Sequence, residues 1–315
     1  EYDSGASSYT IADSADAVLI ASNESTILND GVSGVVVTDA TGAGYVDASD
    51  GAALSFLEGQ LQTATNDGAA DIEFRVEDDA AAIAAVLSGN NGGALDGAND
   101  LEVTGGTTTM VGAADIQSSG AYDAANSDYT ISDTAGAILG DTGTVIDDGV
   151  STINVTSSVG AGVGVQLGQL EDASFETGYS ADINFNVVDD ANDIAAALSG
   201  DTTDAMDNAA SMIVSGGTAT VTDAADIQGV AEYDSGASSY TIADSADAVL
   251  TASNESTILN DGVSGVVVTD ATGAGYVDAS DGEALSELEG LLQTATNDST
   301  ADIEFRVEDD AAAIA

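Results

Sequence analysis

Histidine, cysteine, proline, tryptophan and lysine are all missing from these 315 residues, and the only basic side chains are Arg75 and Arg306. Without His, Cys or Lys there is no base for a serine triad, no thiol nucleophile, no Schiff-base amine and no nitrogen or sulfur set for zinc. A carboxylate pair of the glycosidase type is the one catalytic constellation left, and lack of Trp removes the usual sugar platform. No enzymatic role is expected. Without Cys, neither disulfides nor thiolate sites hold the fold. Without Pro, every backbone N–H is available to a continuous hydrogen-bonded ladder. No apolar run approaches about 18 residues and no basic region opens the sequence, so neither membrane insertion nor a signal peptide is expected.

What the chain has instead is acid: 56 Asp and Glu against the two Arg give a formal charge of −54. Nucleic acid and anionic membrane are therefore poor partners, and neither is expected. Such charge alone would favour disorder, but apolar residues make up 43% of the chain and recur with strand and helix periods, so a folded protein is expected.

The dominant feature is repetition. Residues 1–84 return as 232–315 with only six differences: Ile20/Thr251, Ala52/Glu283, Phe56/Glu287, Gln60/Leu291, Gly68/Ser299 and Ala69/Thr300. The second copy stops at Ala315, the equivalent of Ala84, within the run Asp-Asp-Ala-Ala-Ala-Ile-Ala, so the sequence reads as part of a longer tandem array. An older duplication lies inside this period. Tyr9-Thr10-Ile11 matches Tyr129-Thr130-Ile131, Asp30-Gly31-Val32 matches Asp148-Gly149-Val150, and Ala70-Asp71-Ile72 matches Ala181-Asp182-Ile183. The expected organisation is repeat unit 1 over 1–120, unit 2 over 121–231 and a truncated unit 3 over 232–315.

Within each unit, short strands alternate with short helices. Asp13 and its counterpart Asp133 are read as N-caps of short helices, and Asn29-Asp30-Gly31 as a turn into the apolar strand Gly34 to Asp39. After a Gly-rich loop comes a helix burying Leu54, Leu57 and Leu61; the Phe56/Glu287 exchange marks position 56 as exposed. Ile72-Glu73-Phe74-Arg75-Val76-Glu77 alternates with period two, with Ile72, Phe74 and Val76 inward. Asp78-Asp79 caps a helix closed by Ser88-Gly89. Leu101 to Val111 reads as two strands about the Gly105-Gly106 turn.

Calcium binds six to eight oxygens from carboxylates, Asn and backbone carbonyls, often beside a Gly. Loops carrying Asp47 and Asp50, Asp67, Asp96 and Asp100, and Asp147 and Asp148 offer these groups, though none has the EF-hand spacing, and these seven are the candidate Ca2+ ligands. Taken loop by loop, the Asp-Gly pairs also read as turns and the Asp-Asp pairs as helix caps.

The rhythm of strand and helix, with phrases such as Tyr129-Thr-Ile-Ser-Asp-Thr-Ala135 and Val221-Thr-Asp-Ala224, resembles the repeat regions of giant acidic bacterial cell-surface proteins. These include cyanobacterial surface repeats and S-layer-like chains distantly related to calcium-binding RTX proteins. The resemblance implies an extracellular, cell-surface location, a structural role and calcium use. The expected fold is a mixed α/β repeat, a β-solenoid of short stacked strands with short flanking helices; tandem β-sandwich domains are the alternative. The expected function is a structural segment of a fibre, sheath or surface layer, with copies of itself and divalent cations as partners. A calcium-dependent adhesin stalk, with its binding head elsewhere, is the alternative.

Overall fold

The computed structural model describes residues 8–29, 31–38, 45–88, 93–145, 147–177, 181–269 and 276–309. Asp30, Asp39, the Gly-rich loop 39–44, Gly89 and the final residues 310–315 lie outside this set. Packing divides the chain into two units, Glu1–Asn154 with Ser174–Asp182, and Val155–Ala173 with Ile183–Ala315. These are groups of contacts, a different division from the sequence copies 1–120, 121–231 and 232–315.

The strands of the first unit are β1 (Tyr9–Asp13), β2 (Val32–Val37), β3 (Tyr45–Val46), β4 (Asp71–Glu73), β5 (Arg75–Asp78), β6 (Leu101–Thr108), β7 (Asp128–Asp133) and β8 (Val150–Val155). They line up as β1-β2-β4 and β3-β5-β6-β7-β8. β9 (Asp182–Asn184) lies at the boundary between the units. The second unit holds β10 (Asn186–Asp189), β11 (Ser211–Ala219), β12 (Ser239–Asp244), β13 (Val263–Val268), β14 (Tyr276–Val277), β15 (Asp302–Glu304) and β16 (Arg306–Val307). Their order is β10-β11-β12-β13-β15 and β14-β16.

The ladders are parallel, as in β5–β6 (Val76 to Leu101), β6–β7 (Thr108 to Ile131) and β12–β13 (Ile242 to Val266). Parallel neighbours cannot be joined by a tight turn, so the chain must cross back between them. Helices make many of these returns: Ala48–Thr65 after β3, Ala80–Ser88 after β5, Met110–Gln117 after β6 and Val221–Gly229 after β11. This corrects the expected fold. The chain is an α/β fold of open parallel sheets with helical crossovers, and not a β-solenoid, in which stacked strands themselves would form the walls. Tandem β-sandwiches are overturned by the same ladders, because sandwiches are built from antiparallel strands.

The Gly-Gly reading fails for a related reason. Gly105 and Gly106 have φ of +91° and +80°, which suits a turn, but they sit as a bulge inside one continuous strand. The register with β7 slips between Thr104 and Thr107, and Thr109 then caps helix Met110–Gln117 by accepting from Gly112 N–H at 3.2 Å. Gly216 and Gly217 repeat the bulge in β11. The first short helix is capped one residue later than expected, by Ser14, while Asp13 accepts the Ser14 N–H at 2.9 Å.

Other expectations match the structure. Ile72, Phe74 and Val76 are buried and Glu73, Arg75 and Glu77 are exposed. Leu54, Leu57 and Leu61 are buried in helix Ala48–Thr65, whereas Phe56 is 70% exposed. The run 71–78 serves two sheets, since β4 pairs with β2 and β5 with β3. At the break between them, Phe74 exchanges hydrogen bonds with Asn99: its N–H donates to Asn99 Oδ1 (3.0 Å) and its carbonyl accepts from Asn99 N–H (2.9 Å).

The near-identical copies adopt the same registers. Tyr9 faces Val32 and Ile11 faces Val35, as Tyr240 faces Val263 and Ile242 faces Val266. None of the six substitutions touches a buried position in either copy. Three of them, at 52, 56 and 60, lie four residues apart along one outward stripe of helix Ala48–Thr65.

Candidate carboxylate sites

Most of the singled-out carboxylates have backbone work. Asp47 is the N-cap of helix Ala48–Thr65 and accepts from Asp50 N–H at 2.8 Å, which places Asp50 in the first turn. Asp67 accepts from Ala69 N–H at 3.0 Å in a tight turn. Asp147 accepts from Gly149 N–H at 3.0 Å and from the Tyr122 hydroxyl at 2.5 Å. Asp96 and Asp148 are exposed.

Of these seven, only Asp100 joins a cluster of three among the described residues. One oxygen each from Asp100, Glu102 and Asp123 lie within 4.8 Å of one another, all on half-buried residues. Two elements place them: Asp100 and Glu102 flank Leu101 at the start of β6, and Leu101 forms a parallel bridge with Tyr122, which brings Asp123 alongside. The Tyr45 hydroxyl donates to Asp100 Oδ2 (3.1 Å) and to Glu102 Oε1. Those bonds, first to Glu102, together with burial, push the phenol well above its ordinary range, so Tyr45 remains a donor. The Arg75 guanidinium lies 5.7 Å from the centre of the same ring, a cation–π distance, and Arg306 repeats this over Tyr276 at 5.9 Å. Three convergent carboxylates are a hard-oxygen set of the kind calcium accepts. Sequence reading found Asp100 but missed Glu102, Asp123 and Tyr45. The usable signal was the strand period, which puts residues 100 and 102 on one side.

A second trio, Asp189, Asp190 and Asp193, is also within 4.8 Å, and its hydrogen bonds explain it without an ion. Asp190 caps helix Ala191–Gly200 through Asp193 N–H at 3.0 Å. Asp189 uses one oxygen for Asp190 N–H (3.0 Å) and the other for Ala161 N–H (2.9 Å).

That last bond belongs to a recurring device. An Asp at or just beyond a strand end reaches back to the first residue of the helix after the neighbouring strand. Asp78 accepts from Ala48 N–H (3.0 Å), Asp133 from Met110 N–H (3.1 Å), Asp244 from Val221 N–H (3.0 Å) and Asp309 from Ala279 N–H (3.2 Å). In Asp78, Asp133 and Asp244 the other oxygen accepts the next residue's N–H at 2.7–2.8 Å. Each carboxylate thus ties two successive strand–helix elements together and places negative charge at a helix N-terminus.

One cleft is strongly acidic. A space of about 350 Å³ is lined by Asp201, Asp204, Asp207 and Asp226 together with Leu198 and Met206. Burial pushes the Asp201 carboxyl up, but donation from Thr203, Met206 and Ala205 N–H outweighs it and holds the group below its ordinary value.

Comparison with protein-family models, with curated proteins and with solved structures returned no match. The arrangement itself therefore carries the functional argument.

Proposed function

We propose that this chain is a structural segment of a long extracellular repeat protein that builds a fibre, sheath or surface layer. The observation that supports the reading is the pairing of near-identical copies with identical ladders, in which all six differences fall outside the core. Such a chain keeps its framework constant from repeat to repeat and varies only its surface, which suits a protein whose task is extent and not catalysis. The strand-end carboxylates support the same reading, since they fasten each element to its neighbour. Labelling intact cells that make the protein with an antibody to an exposed epitope tests it. Surface labelling is expected; label reached only after permeabilisation would overturn the proposal.

The Asp100–Glu102–Asp123 cluster favours a second reading, a stalk stiffened by calcium that carries a binding head. The two readings differ in assembly: many laterally ordered copies for the first, and separate chains ending in a distinct domain for the second.

A further inference from the structure

Helices Ala48–Thr65, Ala80–Ser88 and Met110–Gln117 of the first unit pack side by side. The first carries an outward stripe without charge: Phe56, 70% exposed, with Ala52, Ala53, Gly59, Gln60 and Thr63 around it. The acids of this helix, Asp50 and Glu58, lie roughly 120° and 160° around its axis from Phe56. The Thr63 hydroxyl donates to the Gly59 carbonyl at 2.8 Å, so it needs no outside partner. Between the other two helices runs a groove of about 410 Å³, lined by Ala81, Ala84, Ala85, Val111 and Gly112, with Asp115 the one acid on its walls. Val111 is 71% exposed. A protruding phenyl ring and an apolar groove roomy enough for one therefore share a single helix layer.

The other repeats put polar or charged groups at these positions. Ala52 and Phe56 become Glu283 and Glu287 in the near-identical copy. In the middle repeat, aligned on Ile83 with Ile194 and on Ile116 with Ile227, Ala81 becomes Asn192, Val111 becomes Thr222 and Gly112 becomes Asp223. Asn192 and Thr222 are exposed although chain flanks that repeat on both sides, so exposure of this layer does not depend on where the sequence starts or stops. Single exposed apolar side chains need no explanation, but an uncharged helix layer on a chain of charge −54 does.

We infer that this helix layer is a self-association surface: two copies of the chain meet on it about a two-fold axis, each Phe56 ring seated in the other's groove beside Ala81, Ala85 and Val111. Charge selects the occupant. Two chains of −54 repel wherever their carboxylates face each other, so they approach closely only where both surfaces lack charge. A basic partner would instead be drawn to the acidic remainder of the surface. The layer also holds both halves of the contact, ring and groove, as a two-fold interface requires. Glu283 and Glu287 keep residues 232–315 out of the same contact, because a carboxylate at the ring position would be buried unpaired in an apolar groove. The inference deepens the proposed function by naming a surface through which copies meet, and it rests on that reading for its sense in a fibre or layer. Association is read on the purified chain and surface label on cells, so either can fail without the other.

Sedimentation velocity of the 315-residue chain over a concentration series tests it. A reversible monomer–dimer equilibrium is expected, tighter at high than at low NaCl because salt screens the repulsion between the copies. Phe56→Glu, the residue that the near-identical copy carries at 287 within an intact helix, should raise the dissociation constant at least roughly tenfold. Val111→Asp should do the same from the groove side. Ile20→Thr, which exchanges another exposed apolar residue for its counterpart at 251, should leave the constant unchanged. A chain that stays monomeric at every concentration and salt would overturn the inference, and so would association that survives either Phe56→Glu or Val111→Asp, or that falls equally with Ile20→Thr.

Discussion

Asp133→Ala is the sharpest probe of how the strand-end carboxylates hold the fold. The residue lies at the end of β7, where Oδ1 accepts from Thr134 N–H at 2.7 Å and Oδ2 from Met110 N–H at 3.1 Å. Alanine leaves both donors without their acceptor, and Met110 is only 4% exposed, so water replaces that bond poorly. A hydrogen bond to a charged group contributes about 1.5–3 kcal/mol, and partial solvent access at Asp133 lowers the yield of the pair, so about 2–4 kcal/mol is expected. Repeat chains open locally, so a single melting curve would blur the effect. Hydrogen exchange read by fragment is the better assay, and this region has no near-identical copy to confuse the assignment. Protection of helix Met110–Gln117 and of β7 should fall roughly 30- to 1000-fold, the equivalent of that free energy. Asp133→Asn retains one acceptor oxygen and should cost about half as much. Asp128→Ala, at an exposed position of the same strand, is the control, expected within about 0.5 kcal/mol. Equal protection in the Asp133 and Asp128 variants would refute the reasoning.

Four further outcomes are expected. Phe74→Ala removes a ring that is 2% exposed and should cost about 3–5 kcal/mol in urea unfolding, against well under about 1 kcal/mol for exposed Arg75→Ala. Gly106→Ala should cost about 1–3 kcal/mol, because φ is +80° and the new Cβ would stand 2.9 Å from the Asp79 side chain; Gly105→Ala meets nothing within 4 Å and should cost less. Burial, then the charge of Asp71, raises the Glu58 carboxyl above its ordinary value, so its ionisation opposes folding above that raised value and ceases to do so below the usual glutamate range. Glu58→Gln should therefore stabilise the chain at neutral pH, with the gain shrinking as pH falls through the Glu58 titration, which parallel urea titrations at several pH values would show. Calcium should raise the melting temperature at constant ionic strength and Asp123→Asn should blunt that rise; identical melting with calcium and with chelator would leave only charge screening.

The sequence made some features legible because they depend on neighbours in the chain. The alternation around Phe74 sets one strand face inward, and Asp47 marks the start of its helix, because period and cap are local signals. Strand direction is not local. Gly105-Gly106 offers the positive φ that a hairpin turn and a bulge both need, and only the pairing of Thr107 with Thr130 distinguishes them. The same limit applies to the carboxylates. Asp78 and Asp133 look like caps for the helices directly after them, yet each sends its second oxygen to a helix that began 30 and 23 residues earlier. Asp123 reaches Asp100 and Glu102 only because Leu101 bridges Tyr122. A crossover places these partners, and no short spacing announces it.

The central claim, that the repeated framework serves extent at the cell surface, meets its most direct test in electron cryo-tomography of intact cells carrying an antibody label to this chain. Label along fibres or across a regular layer outside the cell, repeated at constant spacing, is the predicted result. Label on isolated stalks with distinct heads would transfer the chain to the adhesin reading, and label confined to the cell interior without order would contradict the claim.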